Sequence, residues 1–114
     1  MVDFEKDEFR YCIHLGDLQL SFYFEDWKEA LTDAKACIMT IEDFVDEYPN
    51  TSSEFYLGQA WHMRWSIDLS FDDDYDIHLK VTTPCIDYRH DNMDLKWLLK
   101  IKQFLEEFIE ESFV

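Results

Sequence analysis

The chain has 114 residues, 47% hydrophobic and 18% aromatic, which is enough apolar material for one globular core and too much for a disordered segment. Its 26 acidic side chains against 10 Lys and Arg give a formal net charge of −16, a field that repels phosphate backbones and argues against direct nucleic-acid binding. No apolar run is long enough to span a bilayer, and the opening Met1–Glu8 is acidic, so neither a membrane segment nor a secretory leader is expected.

Three cysteines, Cys12, Cys37 and Cys85, are an odd number without CxxC spacing. That suits free thiols in a reducing compartment, and the expected location is the cytoplasm. Only two Gly and two Pro are present, leaving little linker material, so residues 1–114 are expected to form one domain.

In chain order, residues 9–24 predict a β-hairpin. Phe9, Tyr11, Ile13 and Leu15 alternate with Arg10, Cys12 and His14, and Leu18, Leu20, Phe22 and Phe24 resume the pattern after Gly16-Asp17. Gly at the first central position suits a two-residue type II′ turn. That turn pairs Leu15 with Leu18, Ile13 with Leu20 and Tyr11 with Phe22, which keeps every apolar residue on one face. Residues 27–47 predict a helix, because Trp27, Leu31, Ala34, Ile38, Ile41, Val45 and Tyr48 recur at spacings of four and three. Asp26 is the expected N-cap with Glu29 as its capping-box partner, and Pro49 ends the segment.

Residues 61–71 alternate again, with Trp61, Met63, Trp65, Ile67, Leu69 and Phe71 on one face. Asp72-Asp73-Asp74 is expected as a three-residue loop leading to Tyr75, Ile77, Leu79 and Val81, with Leu69 opposite Ile77 and Ile67 opposite Leu79. Glu54–Leu57 is a candidate short strand. Residues 92–112 predict a second helix capped by Asp91, its main face formed by Leu95, Leu98, Ile101, Leu105, Phe108 and Ile109. The expected fold is therefore α+β: an antiparallel sheet of four to five strands in ββα-ββ-α order, with two amphipathic helices on one face.

The acids are clustered. The first helix carries Glu42, Asp43, Asp46 and Glu47 in its last turns, and the second carries Glu106, Glu107, Glu110 and Glu111, while Lys96, Lys100 and Lys102 lie in its first half. This opposes the helix macrodipole, at about 0.3–1 kcal/mol per misplaced charge at low salt. Asp72, Asp73, Asp74 and Asp76 add a third patch, whereas Arg10, Arg64 and Lys80 nearly balance Asp68 and Asp76 on the polar side of the strands. Met39 projects beside Glu42, Asp43 and Asp46, with Phe44, Tyr48, Phe55 and Tyr56 nearby, and interfaces favour such apolar anchors ringed by charge. The bland reading of Phe44, Tyr48 and Phe55 is ordinary core, and that of the acids is solubility.

Chemical motifs are sparse. Asp68 and His78 face each other in the expected hairpin register and could orient a general base, although a simple cross-strand charge pair explains them as well. Cys12, His14, His62, Cys85 and His90 lack zinc-ligand spacing, and the Asp72–Asp76 segment lacks the glycine and terminal glutamate of a calcium loop. No cofactor and no metal is expected.

The Gly16-Asp17 hairpin, the Asp26-Trp27-Lys28-Glu29-Ala30-Leu31 helix start, the strands Trp65–Phe71 and Ile77–Val81, and the acidic C-terminal helix together give a layout that resembles small acidic inhibitors: bacterial toxin-immunity proteins and phage anti-CRISPR proteins. The resemblance covers most of the chain as architecture, without a family-specific motif. It implies stoichiometric blocking of a basic partner, a toxin or nuclease, and carries over no site residues; the charge reading itself puts the binding surface at Met39 and the acidic residues named above. The alternatives are a phage anti-defence inhibitor that mimics DNA, and a small enzyme using Asp68 and His78. A homodimer through the second helix stays open.

Overall fold

A computed structural model of the chain describes residues 2–48, 55–56, 66–71, 74–83 and 87–112. The chain is α+β. Strands β1 (Val2–Lys6), β2 (Arg10–Leu15) and β3 (Leu18–Tyr23) precede helix α1 (Trp27–Glu47). Strands β4 (Phe55–Tyr56), β5 (Ser66–Phe71), β6 (Ile77–Thr82) and β7 (Asp87–Met93) follow, and helix α2 (Leu95–Ser112) ends the described chain. The strands form two antiparallel sheets, β1-β2-β3 and β5-β6-β7 with the two-residue β4 at its edge. This corrects the expected single sheet of four to five strands in ββα-ββ-α order. Two strands were not foreseen, β1 and β7, and among the described residues no backbone ladder joins the first sheet to the second.

The first hairpin has the expected register, with Leu15 opposite Leu18, Ile13 opposite Leu20 and Tyr11 opposite Phe22. Gly16 alone in its turn is left-handed, at φ +60°, and a Cβ there would meet the Tyr88 ring at 3.1 Å. Strand β1 adds to this hairpin from Val2 opposite Leu15 to Lys6 opposite Tyr11. Its period of two, Val2 and Phe4 against Asp3 and Glu5, is short but real, and Phe4 packs on Phe104 at 4.8 Å. Phe9, expected inside, is 67% exposed. The reason is local. Asp7 Oδ1 accepts hydrogen bonds from the Phe9 and Arg10 amides at 2.7 and 3.0 Å, which makes residues 7–9 a turn and starts β2 at Arg10.

Helix α1 has the expected bounds. Asp26 makes no side-chain capping bond, so the capping box is not formed, and Trp27 is 49% exposed. The buried face comprises Ala30, Leu31, Ala34, Cys37, Ile38, Ile41 and Phe44, wider than the stripe the spacing implies. Helix α2 starts at Leu95 rather than residue 92. Its cap is Asp94, whose Oδ1 accepts from the Lys96 amide at 3.1 Å, while Asp91 lies in β7.

In the second hairpin Phe71 pairs with Ile77, Leu69 with Leu79 and Ile67 with Val81. The expected register is two residues out, because the loop also takes in Tyr75 and Asp76. A slip of two keeps the apolar residues on the same face, so alternation cannot detect it. Tyr75, expected inside, is left-handed at φ 64° and 56% exposed. The expected strand residues 61–65 and loop residues Asp72 and Asp73 lie outside the described residues. Strand β7 pairs with β6 across a register shift between Ile77 and Leu79.

One cluster of buried residues draws on both sheets and both helices. Each sheet turns a single apolar face inward, and the four elements close over a cavity of only about 10 Å³. The helices run in opposite directions. Phe24, just ahead of α1, stacks on Phe108 near the end of α2, and Glu42 near the end of α1 meets Lys102. At the other end, Phe44 and Tyr48 of α1 pack on Phe71, whose neighbours across the sheet, Ile77 and then Met93, lead into α2.

Candidate protein-binding surface

Met39, Glu42, Asp43 and Asp46 are spaced three and four residues apart, which puts them on one side of α1. All four are exposed, Met39 at 63%. Glu47 is the last helical residue; its side chain lies outside the described residues. The chain then meets the acidic loop. Tyr48 Oη donates a 2.8 Å hydrogen bond to the Tyr75 carbonyl, and the Tyr48 and Phe71 rings meet edge-on at 5.1 Å. Two of the expected acidic patches are thereby joined: the end of α1, and the loop with exposed Asp74 and half-buried Asp76. Asp72 and Asp73 lie outside the described residues. Tyr75 stands exposed between Asp74 and Asp76, its ring 6.4 Å from that of Phe71. Two exposed apolar side chains thus stand among carboxylates, Met39 beside Glu42, Asp43 and Asp46 on the outer side of α1, and Tyr75 in the loop held by Tyr48, which is nine positions on from Met39 and half a turn round the helix from it. Tyr75 was not anticipated as a surface anchor. Its signal is its place in Asp-Asp-Asp-Tyr-Asp, where loop polarity outweighs the alternation that suggested an inward residue.

Antiparallel packing separates the remaining patch. Glu106, Glu107, Glu110 and Glu111 lie at the far end of α2, beside β1 and β2. Glu107 is tied to Lys6 at 3.4 Å. Burial first, then Glu111 and Glu107 nearby, hold the Tyr11 phenol above its ordinary range. Glu106 and Glu110 point outward. Among the described residues, the acids at the end of α2 are therefore set apart from those of α1 and the loop.

The outer faces of the sheets carry mixed charge. On β2 and β3, Arg10 reaches Ser21 at 3.2 Å and Glu5 at 3.5 Å, and His14 lies 3.4 Å from Glu5. Cys12, expected on that polar face, is completely buried, and burial pushes its thiol up. On the second sheet Asp68 pairs with Lys80 and His78 stands opposite Ser70, which corrects the expected Asp68–His78 opposition. His78 Nδ1 instead meets Asp91 Oδ1 at 2.8 Å, and Arg89 Nε donates to the same oxygen at 2.9 Å. Those two hydrogen bonds, Arg89's being the stronger influence, lower the Asp91 carboxyl below its usual range. Phe44, Tyr48 and Phe71 serve the core, as the bland reading of Phe44 and Tyr48 had it.

Comparison with protein-family models, with curated proteins and with solved structures finds no match to this chain. No helix among the described residues is long and apolar enough to cross a membrane.

Proposed function

We propose that the protein is an acidic inhibitor that binds and blocks a basic protein, and specifically an immunity protein that neutralises a bacterial toxin, a nuclease in the first instance. The observation that supports this reading is the hydrogen bond from Tyr48 to Tyr75. It fixes the acidic loop, with exposed Asp74 and Tyr75, against the C-terminal end of α1, whose outer side carries exposed Met39 among Glu42, Asp43 and Asp46. An apolar anchor within a rim of charge is the anatomy of a protein interface, and the charge steers a cationic partner. A nuclease active site is such a partner, because it is built to hold phosphates.

The test is affinity capture from the native cell at low salt, followed by mass spectrometry, with a chain carrying Glu42→Lys, Asp43→Lys and Asp46→Lys as control. A basic toxin retained by the wild type and released by the triple variant supports the reading. Equal retention by both refutes the surface. Recovery of a defence nuclease would make the protein an anti-defence inhibitor, and recovery of no basic protein refutes the function.

A further inference from the structure

The outward face of α2 has an arrangement of charge that the inhibitor reading does not use. Lys96, Lys100, Gln103, Glu106 and Glu110 are all exposed and follow one another at spacings of three and four, so they form one stripe along the helix, with exposed Leu99 beside it. The cations come first and the acids last. Within the isolated helix this is unfavourable twice over. Lys96 with Lys100, and Glu106 with Glu110, are like charges at i,i+4, and both groups sit at the wrong end of the macrodipole. The flanking charges of α2 have partners inside the molecule: Lys102 reaches Glu42 at 3.9 Å and Glu107 reaches Lys6 at 3.4 Å. The stripe is different. Among the described residues Glu106 and Glu110 form no ion pair, Lys100 only covers the Trp97 ring at 4.5 Å, and Lys96 reaches no nearer than 3.8 Å to Asp94.

The stripe is also symmetric in position and opposite in charge about Gln103. Lys96 and Glu110 lie equally far from it on either side, as do Lys100 and Glu106. A helix with that property complements its own copy when the two lie antiparallel. We infer that this face is an interface for a second copy of the chain, with a twofold axis through Gln103. Lys96 of each copy faces Glu110 of the other, and Lys100 faces Glu106, so every contact occurs twice. The two macrodipoles then oppose each other, Gln103 meets its own copy at the axis, and Leu99, 44% exposed, lies beside the Lys100–Glu106 pair. Other occupants match only half of it. A basic protein meets Lys96 and Lys100 with repulsion, and a nucleic acid meets Glu106 and Glu110 with repulsion. The apolar face of α2 plays no part: Leu98, Ile101, Phe104, Leu105 and Phe108 are buried within the chain. Exposed ion pairs contribute little individually, so the dimer is weak and concentration-dependent.

Sedimentation equilibrium of the full chain tests this. The wild type is expected to show a reversible monomer–dimer equilibrium. Lys96→Glu with Lys100→Glu leaves an all-acidic stripe, and Glu106→Lys with Glu110→Lys an all-basic one. Each double variant alone is expected to self-associate at least about tenfold more weakly. Mixed together they are expected to form a heterodimer, although both remain strongly acidic on a background of −16, so bulk charge does not draw them together. The quadruple variant, with its stripe reversed end to end, is expected to regain self-association. Far-UV circular dichroism confirms that all four exposed substitutions leave the chain folded. The inference is overturned if the wild type stays monomeric up to about 1 mM, if the double variants dimerise as the wild type does, or if the mixture forms no heterodimer. None of these outcomes bears on the surface at the end of α1, which involves other residues.

Discussion

Tyr48 works in two environments: its ring packs on Phe44 and Phe71, and its hydroxyl holds the acidic loop. Tyr48→Phe keeps the packing and deletes the hydrogen bond. We expect a loss of about 0.5–1.5 kcal/mol in urea unfolding and weaker binding of the basic partner, since the loop is no longer fixed. Gly16 is constrained on two counts, a φ of +60° and the Tyr88 ring. Gly16→Ala is expected to cost at least about 1 kcal/mol by the same measurement. Cys37 is buried, and burial pushes its thiol up to about 12. The folded state therefore keeps a proton that the unfolded chain loses near its ordinary value of about 9. Stability from this group is complete below that ordinary value and falls as pH rises through about 12. Tyr11, also raised by burial, works in the same direction at still higher pH. Denaturant midpoints measured across this alkaline range are expected to decline, and Cys37→Ala to flatten the decline. A disulfide reagent at neutral pH is expected to leave Cys12 and Cys37 unmodified until the chain unfolds.

At the scale of the element, each helix combines a well-made inner face with an outer face that works against it. Neither helix has a basic residue in its last turn. Asp46→Lys is accordingly expected to raise stability by about 0.3–1 kcal/mol while weakening association with the basic partner, which calorimetry and binding assays read separately. A rise in stability with unchanged binding would assign the acid to solubility alone. Met39→Ala is expected to be nearly neutral for folding, whereas Phe44→Ala, fully buried, is expected to cost about 3–5 kcal/mol. Helix α1 was legible in the sequence to the residue because twenty-one positions carry a repeated spacing that only a helix satisfies. Strand β7 was not. Asp87-Tyr88-Arg89-His90-Asp91-Asn92-Met93 lies along an edge, and only Met93 is fully buried, so no apolar alternation announces it. The second hairpin was legible in face but not in register, since a two-residue slip preserves alternation and the longer loop depends on Tyr48 from another element.

For the molecule as a whole, a net charge of −16 on 114 residues is a repulsive load on the folded state. Raising ionic strength from about 0.01 M to about 0.5 M is expected to raise Tm at neutral pH; no rise would mean that the carboxylates are locally compensated rather than mutually repelling. The amino-acid sequence by itself determined the α+β class, the first hairpin with its turn and pairing, the span of α1 and the presence of three acidic patches. These are local properties: periodicity, a glycine placed for a positive φ, and charge along a helix. Only the tertiary structure decided that two of the patches meet at Tyr48 and Tyr75, that the third lies at the opposite end, and that the strands divide into two sheets. The reason is that helix direction and loop register are set by contacts between residues far apart in the chain. Such contacts leave no periodic trace in the residues that make them.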